Sequence, residues 1–330
     1  MAEAASAEKP KKPHRHRVAL VVTALLVAFV VLTLPFVIFS IVVELLGKPE
    51  ELRYSLTAER PLLPALAGNR QQSGSYLNIL IDDLDEAKRV ATLRISGQRA
   101  CATNCPALTI VFVSAGDDAA QRAAMPPSAS ISIRSDARIV DETIHLPVRG
   151  QPSLYPFDTY QLWLGIMAYA TGADGAEVPL HAGDLDQHAN VTLQAQLAHL
   201  TMRPPVTIEP SRVHVVTDPY DFLVVKALYF QRPYYLQALA VLLVLLIAAS
   251  GFFALFMRPI HDLFLGIGGV ILGVWGVRSV IVQGNLPYVT AIDLALSAVI
   301  LFLLLALAIR AVIYFHQHSD LHLPWTRGPS

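Results

Sequence analysis

The sequence predicts a membrane protein of mixed class, in which an N-terminal transmembrane anchor, an exported antiparallel β-sandwich and three C-terminal transmembrane helices follow one another. Four charge-poor apolar stretches occur, one near the start and three in the last third of the chain. Between the first and second stretches, short runs alternate apolar and polar residues, which is typical of half-buried strands. The hydrophobic fraction of 54% reflects the apolar stretches, and a net charge of −1 gives no indication of nucleic acid as a partner.

Each apolar stretch is close to or longer than the about 20 residues that a helix needs to cross a bilayer core. The first stretch follows a tail with five lysines and arginines, is too long for the core of a signal peptide and precedes no clear cleavage motif, so we expect an uncleaved signal anchor. Basic residues stay on the cytoplasmic side, which places both termini in the cytoplasm and the protein in a plasma membrane or bacterial inner membrane. The predicted segments are a cytoplasmic tail at 1–17, a span at 18–46, an extracytoplasmic sandwich at 47–233, spans at 234–257, 262–283 and 287–315, and a cytoplasmic tail at 316–330.

Candidate strands of the exported segment are separated by turn-rich breaks, of which Ser96–Gln98 is one. Strands at this spacing favour an antiparallel sandwich, and a segment of this length can bury its own core. The candidate strands are residues 52–56, 76–81, 90–95, 108–113, 129–133, 139–146, 159–167, 191–197, 212–216 and 222–230.

Catalytic and cofactor motifs are absent from the sequence, which has no Gly-rich phosphate loop, no G-x-S-x-G elbow and no H-E-x-x-H. We therefore expect a protein that is not an enzyme and that carries no cofactor. Two polar segments offer ligands of the kind that calcium or zinc binds, but their spacing matches no standard metal motif, and solvated turns explain them equally well. These segments contain Asp82, Asp83, Asp85 and Glu86, and His181, Asp184, Asp186 and His188.

The chain has two cysteines, Cys101 and Cys105, and both fall in the predicted exported segment. That compartment permits a disulfide, but a spacing of four residues requires a turn to bring the two Cα atoms within about 7 Å. A small-loop disulfide and two ordinary thiols both remain open.

Tyr155, Pro156, Phe157 and Asp158 open a predicted strand. Proline suits that place because its φ is fixed and it lacks an N–H donor, and an aspartate just after it can bond backbone amides in a tight loop. With one span before it and three after it, this motif resembles the membrane proteins of the family called domain of unknown function 4436. The resemblance covers nearly the whole chain, and it implies an architecture but no activity.

A second resemblance, to pentameric ligand-gated ion channels, rests on three motifs in the same order. They are Tyr155 to Asp158, Arg232-Pro233-Tyr234-Tyr235, and the segment 286–293. The resemblance implies an oligomer, in which a loop at the base of an extracellular sandwich is followed by a strand and later by the entry into the first pore helix. The segment that would line the pore, 263–282, is apolar and has no stripe of Ser or Thr, whereas conducting pores present polar rings.

Arg278 and Asp293 lie inside the last two predicted spans, at similar distances from the turn between them. Similar depth in an antiparallel hairpin predicts an ion pair, and a charge in hydrocarbon costs about 2.5–3.5 kcal/mol, so each needs a partner. The pair can be interpreted as a gate or an ion or proton path, or as an interfacial pair that locks the hairpin. We favour the locking pair because both residues lie near the predicted outer surface.

These observations predict a multi-pass membrane protein whose exported sandwich acts in binding, sensing or envelope scaffolding. An oligomeric protein like a ligand-gated channel is the alternative. The expected partners are the lipid bilayer and further copies of the chain, with no nucleic acid.

Overall fold

The computed structural model describes residues 28–29, 31–35, 38–39, 42–43, 53–56, 60–62, 75–100, 105–115, 120, 123–172, 174–181, 189–209, 222–255, 260–281 and 289–318. The chain divides into two compact units. The β unit comprises Val43–Gln237 with Leu286–Thr290, and the helical unit comprises Met1–Val42, Ala238–Asn285 and Ala291–Ser330.

The described part of the β unit consists of short and medium strands in two sheets. The first sheet has the order β2-β1-β11-β3-β4-β7, and the second has β12-β14-β9-β5-β6, with β8 and β10 paired to β9 and β13 paired to β14. The strands are β1 Arg53–Ser55, β2 Arg60–Leu62, β3 Ser75–Asp85, β4 Val90–Gln98, β5 Ala107–Ser114, β6 Ser128–Ile133, β7 Ile139–Pro147, β8 Arg149–Gly150, β9 Thr159–Thr171, β10 Glu177–Pro179, β11 Ala189–Ala195, β12 Thr201–Met202, β13 Val206–Thr207 and β14 Val224–Gln231.

The core of the β unit lies between the two sheets and follows the period of two in the sequence. In β4, Leu93 and Ile95 are fully buried while their neighbours are more exposed, and in β9 Leu162 and Leu164 are fully buried. These residues, from both sheets, belong to one apolar cluster. Because burying such a side chain contributes about 1.5–3 kcal/mol, the cluster is the main stabilising feature of this unit.

The prediction of sandwich-like sheets is confirmed, and nine of the ten predicted strands overlap an observed one. The tenth, 212–216, lies outside the described residues. The predicted break at Ser96–Gln98 is wrong, because these residues continue β4 and pair on both sides. A Cβ atom on Gly97 would lie 2.6 Å from the backbone oxygen of Tyr76, so this glycine permits close strand pairing and does not end the strand.

The predicted sheets were wholly antiparallel, but β11 pairs with β3 in parallel. Parallel neighbours need a long crossover, and the chain supplies one because β3 ends at Asp85 and β11 begins at Ala189. Alternation of apolar residues reports which side of a strand is buried and carries no information about the direction of its neighbour.

Within the described residues, three helices follow the sheets: α1 Tyr234–Leu255, α2 Ile260–Ile281 and α3 Ala291–His318. Within α1 and α3, Tyr234–Phe252 and Ala291–Tyr314 are long and apolar enough to cross a membrane, whereas the apolar part of α2, Leu265–Gly276, is shorter. The predicted first span, 18–46, falls mostly outside the described residues, and its described residues 28–29, 31–35, 38–39 and 42–43 are helical. Ile267 of α2 packs with Leu303 of α3, and Leu303 also lies against Gly251 of α1.

Candidate functional site

A buried arginine stands at the link between the last strand and the first of the three helices. β14 ends at Gln231 and α1 begins at Tyr234, so Arg232 and Pro233 form the whole connection. Only 4% of the Arg232 side chain is exposed. A guanidinium stays charged at any ordinary pH, so burial of this group requires anionic partners from elsewhere in the fold.

Asp158 is the first of these partners. It directly precedes β9, follows a short helical turn at Pro152–Leu154 and is fully buried. The Tyr155–Pro156 peptide bond in this loop is cis. Nε of Arg232 donates to Oδ1 and Oδ2 of Asp158 at 3.1 and 3.3 Å, and Nη2 donates to Oδ2 at 3.1 Å. This side-on contact aligns the two planar groups and fixes the orientation of the Arg232 guanidinium.

Glu86 is the second partner and comes from a different part of the chain. It directly follows β3, and its Oε2 atom accepts a bond from Nη2 of Arg232 and one from the hydroxyl of Tyr160 at 3.4 Å. The Cζ atom of Arg232 lies 4.7 Å from the ring centroid of Tyr155, which is a cation–π distance. We call Arg232, Asp158, Glu86, Tyr155 and Tyr160 the junction cluster.

The electrostatics of the junction cluster are unbalanced, since one cation faces two carboxyl groups. Burial raises the pKa of the Glu86 carboxyl, the nearby Arg232 charge opposes this rise and the Asp158 charge adds to it. Burial acts to lower the pKa of Arg232, but its bonds to Asp158 and the charges of both carboxyl groups outweigh burial and raise it. Burial and the same two carboxyl groups raise the pKa of Tyr160, so its phenol stays neutral.

The structure therefore brings together residues that the sequence showed in separate motifs. Asp158 and Arg232 belong to two motifs that lie 74 residues apart, and they meet in one contact. Phe157 of the same loop is 50% exposed. Neither the role of Glu86 nor that of Tyr160 was predicted. The only signal for these roles was the single arginine just after an apolar strand, because a buried arginine requires an acidic partner.

The first acidic segment was predicted to follow a strand, but most of it lies within one. Asp82, Asp83 and Asp85 lie within β3, and only Glu86 follows it. Asp85 pairs with Lys88 at 3.1 Å on the surface. These side chains are spread along a strand and its turn, so their closeness in sequence does not place them around one point. Among the described residues, no group of three or more His, Cys, Asp or Glu could hold a metal ion.

The second polar segment is only partly described. His181 follows β10 and is exposed, whereas Asp184, Asp186 and His188 lie outside the described residues.

Cys105 is buried at 3% exposure and is disulfide-bonded. The other predicted partner, Cys101, lies outside the described residues.

In the helical unit, the structure brings Arg278 and Asp293 together. Nε of Arg278 donates to Oδ1 of Asp293 at 2.6 Å, with side-chain exposures of 42% and 14%. Arg278 lies in the last turn of α2 and Asp293 in the first turn of α3, where each charge opposes the local helix dipole favourably. The contact joins the two helices near their linked ends.

A comparison with known families finds one match. Residues 117–216 match the model of a domain of unknown function (DUF4436). The predicted resemblance to that family is thereby confirmed over this range, which contains Tyr155 to Asp158, whereas Glu86 and Arg232 lie outside it. No curated protein matches the chain. The matched family carries no stated activity, so functional interpretation depends on the junction cluster and the helical unit.

Proposed function

We propose that this chain is a non-enzymatic integral membrane protein whose β unit is extracytoplasmic and binds or senses a partner. In this proposal, the span 18–46 acts as a signal anchor, and both termini are cytoplasmic. The junction cluster passes the state of the β unit to α1. The contact of Arg232 with both Asp158 and Glu86 carries the proposal.

The position of Arg232 supports this role. Its backbone continues into α1 after one proline, while its side chain is held by one loop before β9 and by the turn after β3. A displacement of the loop or of the turn would therefore also displace Arg232, which leads into α1. Buried ion pairs add little net stability compared with apolar residues of similar size, so retaining one at this place favours a positioning role.

Hydrogen exchange on the full-length protein in lipid nanodiscs tests the transmission. Asp158→Asn weakens the hold on Arg232, and we expect faster exchange at the first amides of α1. Asp141→Asn is the matched control, because Asp141 also forms a bidentate contact with an arginine, Arg94, but on the exposed face of β7. The core strands β4 and β9 report whether the β unit stays folded. Equal exchange of α1 in both variants, with folded cores, would show that the cluster does not transmit.

A second candidate function is an oligomeric protein like a ligand-gated channel. The contact between Arg232 and Asp158 favours it, because two of the three motifs on which that resemblance depends meet in the fold. Reconstitution into planar bilayers, with Arg278→Ala as a comparison, tests it. Membranes that stay silent across ligands and pH, or a strictly monomeric protein by size measurement, would refute it.

A further inference from the structure

The two carboxyl groups of the junction cluster are not equivalent. Asp158 is fully buried and accepts three bonds from Arg232, including both bonds from Nε. Glu86 is 17% exposed and uses only Oε2, so no described residue bonds its Oε1 atom. The single positive charge of Arg232 is therefore matched by Asp158, and Glu86 is the surplus carboxyl group.

We propose that Glu86 is a proton-binding site and that its proton is part of the junction cluster. This inference rests on the proposed function, since it gives the cluster a ligand that sets its state. The proton occupies Oε1, which no described residue bonds, while Oε2 continues to accept from Arg232 and Tyr160. Release transfers the proton from Oε1 to water and leaves a carboxylate.

The surroundings of Glu86 determine the effect of proton release. The groups that face it are Arg232, Asp158 and the neutral phenols of Tyr160 and Tyr155. Lys88, a nearby cation in the same turn, is 79% exposed and pairs with Asp85. Deprotonation thus gives the buried cluster an excess negative charge without a second cation. Burial and the Asp158 charge disfavour the ionised Glu86 more than its contact with Arg232 favours it, so the side chain gains by turning toward water, which loosens the hold of the β3–β4 turn on Arg232.

The direction of the pH dependence follows from the raised pKa of Glu86. A carboxyl group whose pKa is higher in the folded state stabilises the fold below its unfolded pKa, and this contribution is lost as pH rises through the folded pKa. The expected window therefore begins above the ordinary glutamate value of about 4.3. One proton changes the unfolding equilibrium by at most about tenfold per pH unit.

The test uses the full-length protein in nanodiscs of uncharged lipid. Infrared difference spectra between about pH 5 and pH 9 should show a protonated carboxyl band that is weaker in Glu86→Gln. The matched control Asp85→Asn, which alters the neighbouring carboxylate outside the cluster, should retain it. Unfolding midpoints measured from about pH 5 to pH 9 should fall with rising pH for the natural protein and for the control. In Glu86→Gln the fall should be smaller, by the contribution of one proton.

Two outcomes overturn the inference: a carboxyl band unchanged in Glu86→Gln, or an unfolding slope equal to that of the natural protein. Hydrogen exchange in α1 distinguishes a failure of the proton-site inference from a failure of the proposed function. If Asp158→Asn still loosens α1, transmission stands without a proton. If the Glu86 band is present but Asp158→Asn leaves α1 unchanged, the proton site stands and transmission is wrong.

Discussion

Replacing Arg232 by alanine tests whether the junction cluster holds the β unit together. The change removes three hydrogen bonds to Asp158 and the bond to Glu86, and it leaves the Asp158 carboxylate fully buried. Losing one partner of a buried ion pair costs about 3–5 kcal/mol, because the remaining charge is no longer compensated. We therefore expect Arg232→Ala to lower the free energy of unfolding of the β unit by about 3–5 kcal/mol.

Native-state hydrogen exchange at β9 and β14 amides of the full-length protein measures this free energy. Arg94→Ala is the matched control, because Arg94 makes two hydrogen bonds to Asp141 but both side chains are more than half exposed. Water and salt screen such a surface pair, so only a small change is expected. The double change Arg232→Leu with Asp158→Leu should recover part of the loss, since it also removes the fully buried Asp158 carboxylate and leaves only the partly exposed Glu86 without its cation.

Equal losses in Arg232→Ala and Arg94→Ala would refute the reasoning, because burial would then make no difference to the pair. A double variant that is less stable than Arg232→Ala would also contradict it. In that case the arginine would act through the packing of its side chain on Tyr155, and its contact with the carboxyl groups would not matter.

Three further outcomes are expected. A soluble fragment covering residues 50–231 should unfold at a lower temperature than one covering 50–237, because the shorter fragment lacks the junction arginine; equal melting temperatures would contradict this. Gly150→Ala should destabilise the β unit by about 1–3 kcal/mol in chemical unfolding, since its Cβ would lie 2.2 Å from a ring carbon of a fully buried tyrosine. Phe112→Ala should cost about 3–5 kcal/mol in the same measurement, because its ring is fully buried between the sheets, and a loss below about 1 kcal/mol would count against that placement.

The candidate site was predicted only in its parts. Asp158 and Arg232 were each found in a motif, and Arg278 and Asp293 were expected to pair because a hairpin of known turn position fixes their depth. Nothing comparable linked Glu86 to Arg232, which lie 146 residues apart. Closeness in sequence instead grouped Glu86 with three neighbouring aspartates that lie along β3. Sequence distance is informative within one turn or hairpin and uninformative across a sheet.

The sequence by itself determined nine strands of the β unit and the apolar helices, because alternation, run length and charge depletion are properties of neighbouring residues. It also carried the match to the domain family over residues 117–216. Only the tertiary structure decided that β11 runs parallel to β3, that Gly97 continues a strand, and that Arg232 faces two carboxyl groups. Each of these depends on which strands lie side by side, and that is decided by the packing of the whole unit.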